Sequence, residues 1–530
     1  MQSADELMRR LEMLNAIGVA LSAERDINRL VELILLAAKN LANADAGTLY
    51  LVQDGKLNFE IVRTQSLGIS LGGSTGKKPP FPPIALHHPD GTPNTSTVVA
   101  CAALMGETIN IPDAYQVVGF DFTGTRRFDA SNGYRSKSFL TVPLRNHENE
   151  IIGVLQLINA LDANGQIVTF SEEAQRLVES LASQAAIALT NRQLIDQLEK
   201  LFESLIKLIN TAIDDKSPYT GGHCERVPVL TMLLAEAASS IDYGPFQSFR
   251  MNDRDRYELK IAGLLHDCGK ITTPVHVVDK ATKLETIFDR IALIDTRFEV
   301  LKRDAEIAYL KREIDETEYQ RRLRDYDEDR DFLRHANIGG EFMTAEAQER
   351  VRRIAGYPWS DENCQTVPFL STDEVENLTI VRGTLNTRER GIINHHIEVT
   401  IQMLEALPWP RHLKQVPEFA GGHHERMDGR GYPRGLTREQ MSIQARIMGI
   451  ADIFEALTAR DRPYKPGKTL SESLTILARM AREQHIDIDL FEVFMRESVY
   501  QQYAEMFLEP QQIDSVDVKA LLELAGVKRA

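Results

Sequence analysis

Six short stretches carry residues whose types and spacing could do chemistry: YTGGHCERV (219–227), LLHDCGK (264–270), NHHIE (394–398), HHERMDGRGYP (423–433), ADIFEALT (451–458) and DRPYK (461–465). They hold six of the chain's 13 histidines: His223, His266, His395, His396, His423 and His424. One histidine on an apolar face is most simply a satisfied core residue. That account is poor for the set, because two adjacent His pairs, His266-Asp267 and Asp452 in an apolar run would each need separate compensation. A divalent cation compensates them together, since it takes imidazole and carboxylate at one centre. Several nitrogen donors with carboxylates suit iron, manganese or zinc better than calcium. His423 and His424 are adjacent and point in different directions, so they could serve two ions rather than one.

Two such ions about 3.5–4 Å apart make a site for in-line displacement at phosphorus, with a bridging water activated near neutral pH. Lysine and metal charge offset the negative charge that builds on the phosphorus oxygens. Lys270, expected one helical turn after His266, would lie on the ligand face. Arg462 and Lys465 add a compact positive pair suited to a second phosphate.

The elements that must position these groups read as helical throughout the second half. Between Asp267 and His396 lies an unusually long interval, and its charged stretch from Arg297 to Ala336 suits a helical hairpin. The first third reads as α+β. A helix is expected from about Asp26 to Leu41, a hairpin over 46–64 turning at Asp54-Gly55, a helix near 98–105, and strands at 139–146 and 151–160. A further helix begins at the capping Ser171-Glu-Glu. Leu194, Leu198, Leu201, Leu205 and Leu208 are spaced 4, 3, 4, 3, with Ile187 a heptad earlier. That is the seam of a parallel two-helix connector, and it predicts a homodimer.

Composition sets the outer bounds. At roughly 150 residues per domain, 530 residues give two to four domains. The net charge of −16, from 77 acidic and 61 basic residues, argues against a nucleic-acid polymer as partner. Cys101, Cys224, Cys268 and Cys364 show no CxxC pairing, which suits reduced thiols in the cytoplasm. No run of about 18 apolar residues suggests a membrane helix, and the first residues do not read as a signal peptide.

The order His, His-Asp, His, His-His, Asp, together with HHERMDGRGYP, resembles the HD-GYP phosphodiesterases, a branch of the HD superfamily. The likeness spans about residues 205–485. It implies an all-α bundle around a two- or three-metal centre, commonly iron or manganese; Tyr219, four residues before His223, offers no carboxylate, so two ions are expected and no third. It implies hydrolysis of cyclic di-GMP to linear pGpG and/or GMP, with cyclic GMP-AMP as the alternative substrate. A catalytically silent cyclic-dinucleotide sensor is the reading from another class. By position, His223, His266, Asp267, His396, His423, His424 and Asp452 fall at the family's metal ligands, with Asp267 the bridge. Asp267 and Lys270 fall at its catalytic positions, and Arg462, Lys465, Gly431, Tyr432 and Pro433 at its substrate contacts. The Gly-Tyr-Pro loop is linked in that family to contacts with diguanylate cyclase domains.

Residues 18–190, most specifically GYRSKSFLTVPLRNHENEIIGVLQLINA (133–160) followed by Phe170, resemble a GAF domain, a small-molecule sensory module. Asn159 and Phe170 fit the cyclic-nucleotide-binding pattern of such domains, while Ala160 stands where lysine is usual. The GAF ligand is therefore left open. The expected organisation is an α+β GAF domain at 1–190 and a coiled-coil signalling helix at 191–212. An all-α HD-GYP bundle follows at 213–490, with a large helical insertion at about 285–388, then a helical extension at 491–530.

Overall fold

The computed structural model describes residues 2–216, 222–339, 342–360, 365–460 and 467–527, with side chains from residue 12 onward. The chain divides into two compact units, residues 1–202 and 203–530.

The first unit opens with α1 (Gln2–Ala23) and α2 (Ile27–Leu41), the latter capped by Asp26, whose carboxylate accepts from the backbone of Asn28 and Arg29. Strands β1 (Ala44–Gln53), β2 (Lys56–Thr64), β3 (Ile69–Gly72) and β4 (Ile84–Ala85) follow, then α3 (Val98–Met105), β5 (Ile109–Ile111) and α4 (Thr123–Asn132). Strands β6 (Phe139–Arg145), β7 (Ile151–Leu161) and β8 (Ile167–Val168) lead into α5 (Glu172–Lys216). The antiparallel sheet runs β3-β2-β1-β7-β6-β5, with β4 on β2 and β8 on β7. Alternation along β1 sends Leu49 to a core with Ile34, Leu35, Leu155, Leu181 and Ala185, and Tyr50 to another with Val99, Ala103 and Val154. The expected hairpin turns where the Asp54-Gly55 signal lies, both residues having positive φ. Asn159 and Phe170 have internal work. The Asn159 amide oxygen accepts from the Lys137 backbone, its amide nitrogen donates to the Arg135 carbonyl, and Phe170 is core.

The second unit is helical: α6 (His223–Ser240), α7 (Asp253–Leu265), α8 (Val275–Val278), α9 (Ile291–Leu310), α10 (Glu316–Asn337), α11 (Ala345–Ala355), α12 (Thr372–Leu378), α13 (Thr387–Glu405), α14 (Val416–Gly421), α15 (Ile443–Thr458), α16 (Leu470–Arg482), α17 (Ile488–Arg496), α18 (Val499–Phe507) and α19 (Val518–Ala525), with a short β9 (Pro358–Ser360)–β10 (Thr366–Pro368) ribbon. α6 packs on α7 and α15, and α13 packs on α14 and on the 3-10 turn Cys268–Thr272. Gly269 permits that last approach, because a Cβ there would stand 2.0 Å from the His396 carbonyl oxygen. The multidomain class expected from the sequence, α+β followed by a long helix and a helical bundle, is the class found.

The interval between Asp267 and His396 has its own core of Leu284, Ile294, Phe298, Leu333, Val351 and Phe369 among others. Its charged stretch forms the expected hairpin. α9 and α10 pair antiparallel through Arg334–Asp295 (3.0 Å), Arg330–Glu299 (2.7 Å) and Lys302–Asp327.

Candidate metal centre

Four helices and one turn converge on one largely buried cluster. α6 supplies His223 at its first position, and the end of α7 supplies His266 and Asp267. α13 supplies His396, the turn after α14 supplies His423 and His424, and α15 supplies Asp452. Two donor groups result: His223, His266, Asp267 and Asp452, and His396, His423 and His424. Within each, one ligand atom per residue lies within 4.8 Å of the others. The groups are contiguous, since Asp267 Oδ2 is 3.0 Å from His223 Nε2 and Asp267 Oδ1 is 3.3 Å from His396 Nε2. His266 and His423 also face each other edge-on, with ring centroids 5.0 Å apart.

The ring orientations are fixed from behind. His266, His396 and His423 each donate Nδ1–H to the carbonyl three residues earlier: Gly263 (2.7 Å), Ile393 (2.5 Å) and Ala420 (2.6 Å). A carbonyl only accepts, so these rings, when neutral, present Nε2 as a lone pair. His223 is held differently. Its Nδ1 lies 2.5 Å from Glu455 Oε2, and Arg226 braces the other oxygen at 2.7 Å. Sequence reasoning quoted Glu455 within ADIFEALT without assigning it. Its position one helical turn beyond Asp452 was the available signal.

The donor set fits a metal on three counts. Ring nitrogens face ring nitrogens, His266 Nε2 to His223 Nε2 at 3.4 Å and His424 Nε2 to His396 Nε2 at 3.2 Å. His423 Nε2 and Asp267 Oδ1 are buried without a hydrogen-bond partner. Nitrogen and carboxylate donors together suit a first-row divalent ion. Electrostatics agree. Burial would raise Asp267 and Asp452, but for Asp267 the Lys270 and His266 charges, and for Asp452 the contact with His223, hold the carboxyls well below the usual range. Burial lowers His424 to about 4, and with the neighbouring imidazoles it also holds His423 well down. Burial would lower His223 too, but Asp267, Asp452 and Glu455 outweigh it and push its pKa well up. A proton there answers the same concentration of negative charge that a cation would.

Lys270 arrives by a different route from the expected one. α7 stops at Leu265, so His266 and Asp267 close the helix instead of lying inside it, and Lys270 sits in the following 3-10 turn. The turn replaces the helix because Gly269 must press against α13, where its N–H donates to Thr400 Oγ1 (2.9 Å). Lys270 Nζ still reaches Asp267 Oδ2 at 2.5 Å. His423 and His424 both fall in the group with His396, while the His423 ring also faces His266 of the other group. The His423 and His424 rings lie 4.1 Å apart. His395 points away and pairs with Glu398 at 2.8 Å.

In the Gly-Tyr-Pro loop, Gly431 fits where a Cβ would strike the backbone of Glu425 and Arg426. The Tyr432 ring stacks on His424, centroids 4.9 Å apart, and burial pushes its hydroxyl up to about 12. Pro433 borders the adjoining groove. Arg462, Lys465 and Cys364 lie outside the described residues. Cys224 and Cys268 flank the centre as buried thiols, and burial pushes Cys268 up to about 11.

Comparison with known proteins completes the assignment. Residues 26–189 match the GAF domain model, and residues 220–342 and 371–490 match two models described as HD domain. The chain carries a GAF domain followed by an HD domain. This GAF–HD chain is 43 % identical over 127 residues to a 3'3'-cGAMP-specific phosphodiesterase of Vibrio cholerae, covering 23 % of this chain and 27 % of that protein. A second Vibrio cholerae enzyme of the same description is 25 % identical over 287 residues, 54 % of this chain and 36 % of its own length. A cyclic di-GMP phosphodiesterase of Pseudomonas aeruginosa is 35 % identical over 114 residues, 22 % of this chain and 26 % of its own. The GAF–HD chain thus spans between 26 % and 36 % of these relatives' lengths. Among solved structures, the GAF domain of a Coxiella burnetii phosphoenolpyruvate-protein phosphotransferase aligns at 16 % identity over 36 % of this chain and 98 % of its own, with a TM-score of 0.26. No helix among the described residues is long and apolar enough to cross a membrane.

Proposed function

We propose that the HD unit is a metal-dependent phosphodiesterase that opens a cyclic dinucleotide. The observation that carries this is the pair of contiguous buried donor groups, with Nε2 of His423 and Oδ1 of Asp267 left unpartnered. His223, His266, Asp267 and Asp452 would hold one divalent ion, iron or manganese. His396, His423 and His424 would hold the other, with Asp267 between the two groups. Such ions, when bound, activate water and offset the charge of the transition state. Lys270, its pKa raised by Asp267 and Asp452 against the effect of burial, keeps its proton and offers it to a phosphoryl oxygen. Tyr432 and Pro433 border the substrate, and Gly431 lets the loop close. Arg462 and Lys465 take the second phosphate on the strength of the sequence alone.

Cyclic di-GMP is the first substrate. Cyclic GMP-AMP is the second reading, favoured by the 43 % identity to a phosphodiesterase described as specific for it. The GAF unit gates turnover through a ligand of its own, and the chain pairs with a second copy along the α5 leucines.

The test is anaerobic purification with metal analysis, then turnover of both dinucleotides with Fe(II) or Mn(II), beside Asp267→Ala. About two ions per chain and hydrolysis lost in the variant are expected. A chain that purifies empty and inactive under these conditions would sink the catalytic reading in favour of the silent sensor.

A further inference from the structure

A groove of 690 Å³ opens beside the centre, within the range of about 300–1,000 Å³ typical of small-molecule sites. One wall is α13, where Arg388, Gly391, His395 and Glu398 recur at intervals of three and four and so share a face. The opposite wall includes Thr273, just past the Lys270 turn, and Tyr432. Tyr432 joins the groove to the centre, lining the one and stacking on His424 of the other.

Gly391 is the unexplained residue. Glycine inside a helix costs about 1 kcal/mol relative to alanine, and nothing in the protein's own packing requires it here. Its φ is not in the left-handed region, and a Cβ at this position would meet nothing within 4 Å. The bare backbone therefore leaves a flat strip on the groove wall. Arg388, one turn earlier on the same wall, is exposed and forms no ion pair among the described residues.

A cyclic dinucleotide presents one phosphodiester to the donor groups at a time. Its other half must then lie on a surface continuous with them. We propose that this groove seats the nucleoside half remote from the reacting phosphate, its purine ring against the Gly391 strip and the Arg388 guanidinium. The assignment rests on the phosphodiesterase reading above.

Two substitutions in the full chain test it. Gly391→Leu fills the strip with a good helix former, so folding is not put at risk. Arg388→Ala removes the cation. Metal content, thermal midpoint and turnover are measured for each, with whichever cyclic dinucleotide the wild type cleaves and with bis(p-nitrophenyl) phosphate, an ester with no nucleoside. Each variant is expected to raise KM for the dinucleotide by about tenfold, the size of one lost stacking or charged contact. Metal content and cleavage of the small ester should match wild type. An unchanged dinucleotide KM in both variants overturns the groove assignment alone. So do equal losses on both substrates, which would make these residues structural. Wild type that cleaves the small ester and neither dinucleotide overturns the substrate reading, and the groove assignment falls with it.

Discussion

Among the histidines of the centre, His223 is oriented by a carboxylate, whereas His266, His396 and His423 are oriented by backbone carbonyls. Glu455 is 1 % exposed and bridges His223 to Arg226. A carboxylate behind a ligating imidazole fixes its tautomer and raises its basicity. Glu455→Gln keeps the shape and an acceptor while removing the charge. It should weaken metal binding by about 10- to 100-fold and also lower the thermal midpoint of the metal-free protein, because both Glu455 oxygens face donors, His223 and Arg226, and an amide can accept from only one of them. Competition with a graded series of chelators reads this, and wild-type affinity in the variant would contradict it. Glu455→Ala should also destabilise the fold by about 1–3 kcal/mol, because Arg226 would lose its buried acceptor.

At the scale of elements, the insertion carries a titrating group that the centre does not share. Lys283 is buried, with Nζ donating to the carbonyls of Leu378 (3.1 Å) and Ile380 (2.8 Å), and burial lowers its pKa to about 8. Between that value and the ordinary 10.5, the unfolded chain holds a proton that the folded chain has released. Stability therefore rises with pH through this window and is lower below it, where both states are charged. Urea unfolding at pH 8 and pH 10 should show wild type gaining stability relative to Lys283→Met. A constant difference between the two proteins would refute the assignment. Much of this level was legible beforehand. The Asp54-Gly55 turn, the alternation of β6 and β7 and the charge pattern of α9 and α10 are local signals, and local signals survive into the fold. The premature end of α7 was not legible, because it depends on how closely Gly269 approaches α13. The bare Gly391 strip was equally hidden, since it acquires its meaning from neighbours distant in sequence, whereas Glu455 left one signal, its spacing from Asp452.

At the scale of the whole molecule, the leucine seam stands out. Leu194, Leu198, Leu201, Leu205 and Leu208 are 45–65 % exposed in the single chain, although they keep heptad spacing along α5. An apolar stripe of this kind is buried when two such helices pair. Leu198→Asp with Leu205→Asp should convert a dimer into a monomer in light scattering, with the metal content of each chain unchanged. A double variant that keeps the mass of two chains would place pairing elsewhere. The exposures come from the fold, whereas the seam itself was already readable as spacing.

The insertion leaves and rejoins the helical unit at one point, where Thr384 Oγ1 donates to the Lys280 carbonyl at 2.9 Å. An ancestor without the intervening residues would have had to bridge no more than a tight turn. Because that segment brings its own core, its length can change without moving the histidines of the centre, which all lie outside it.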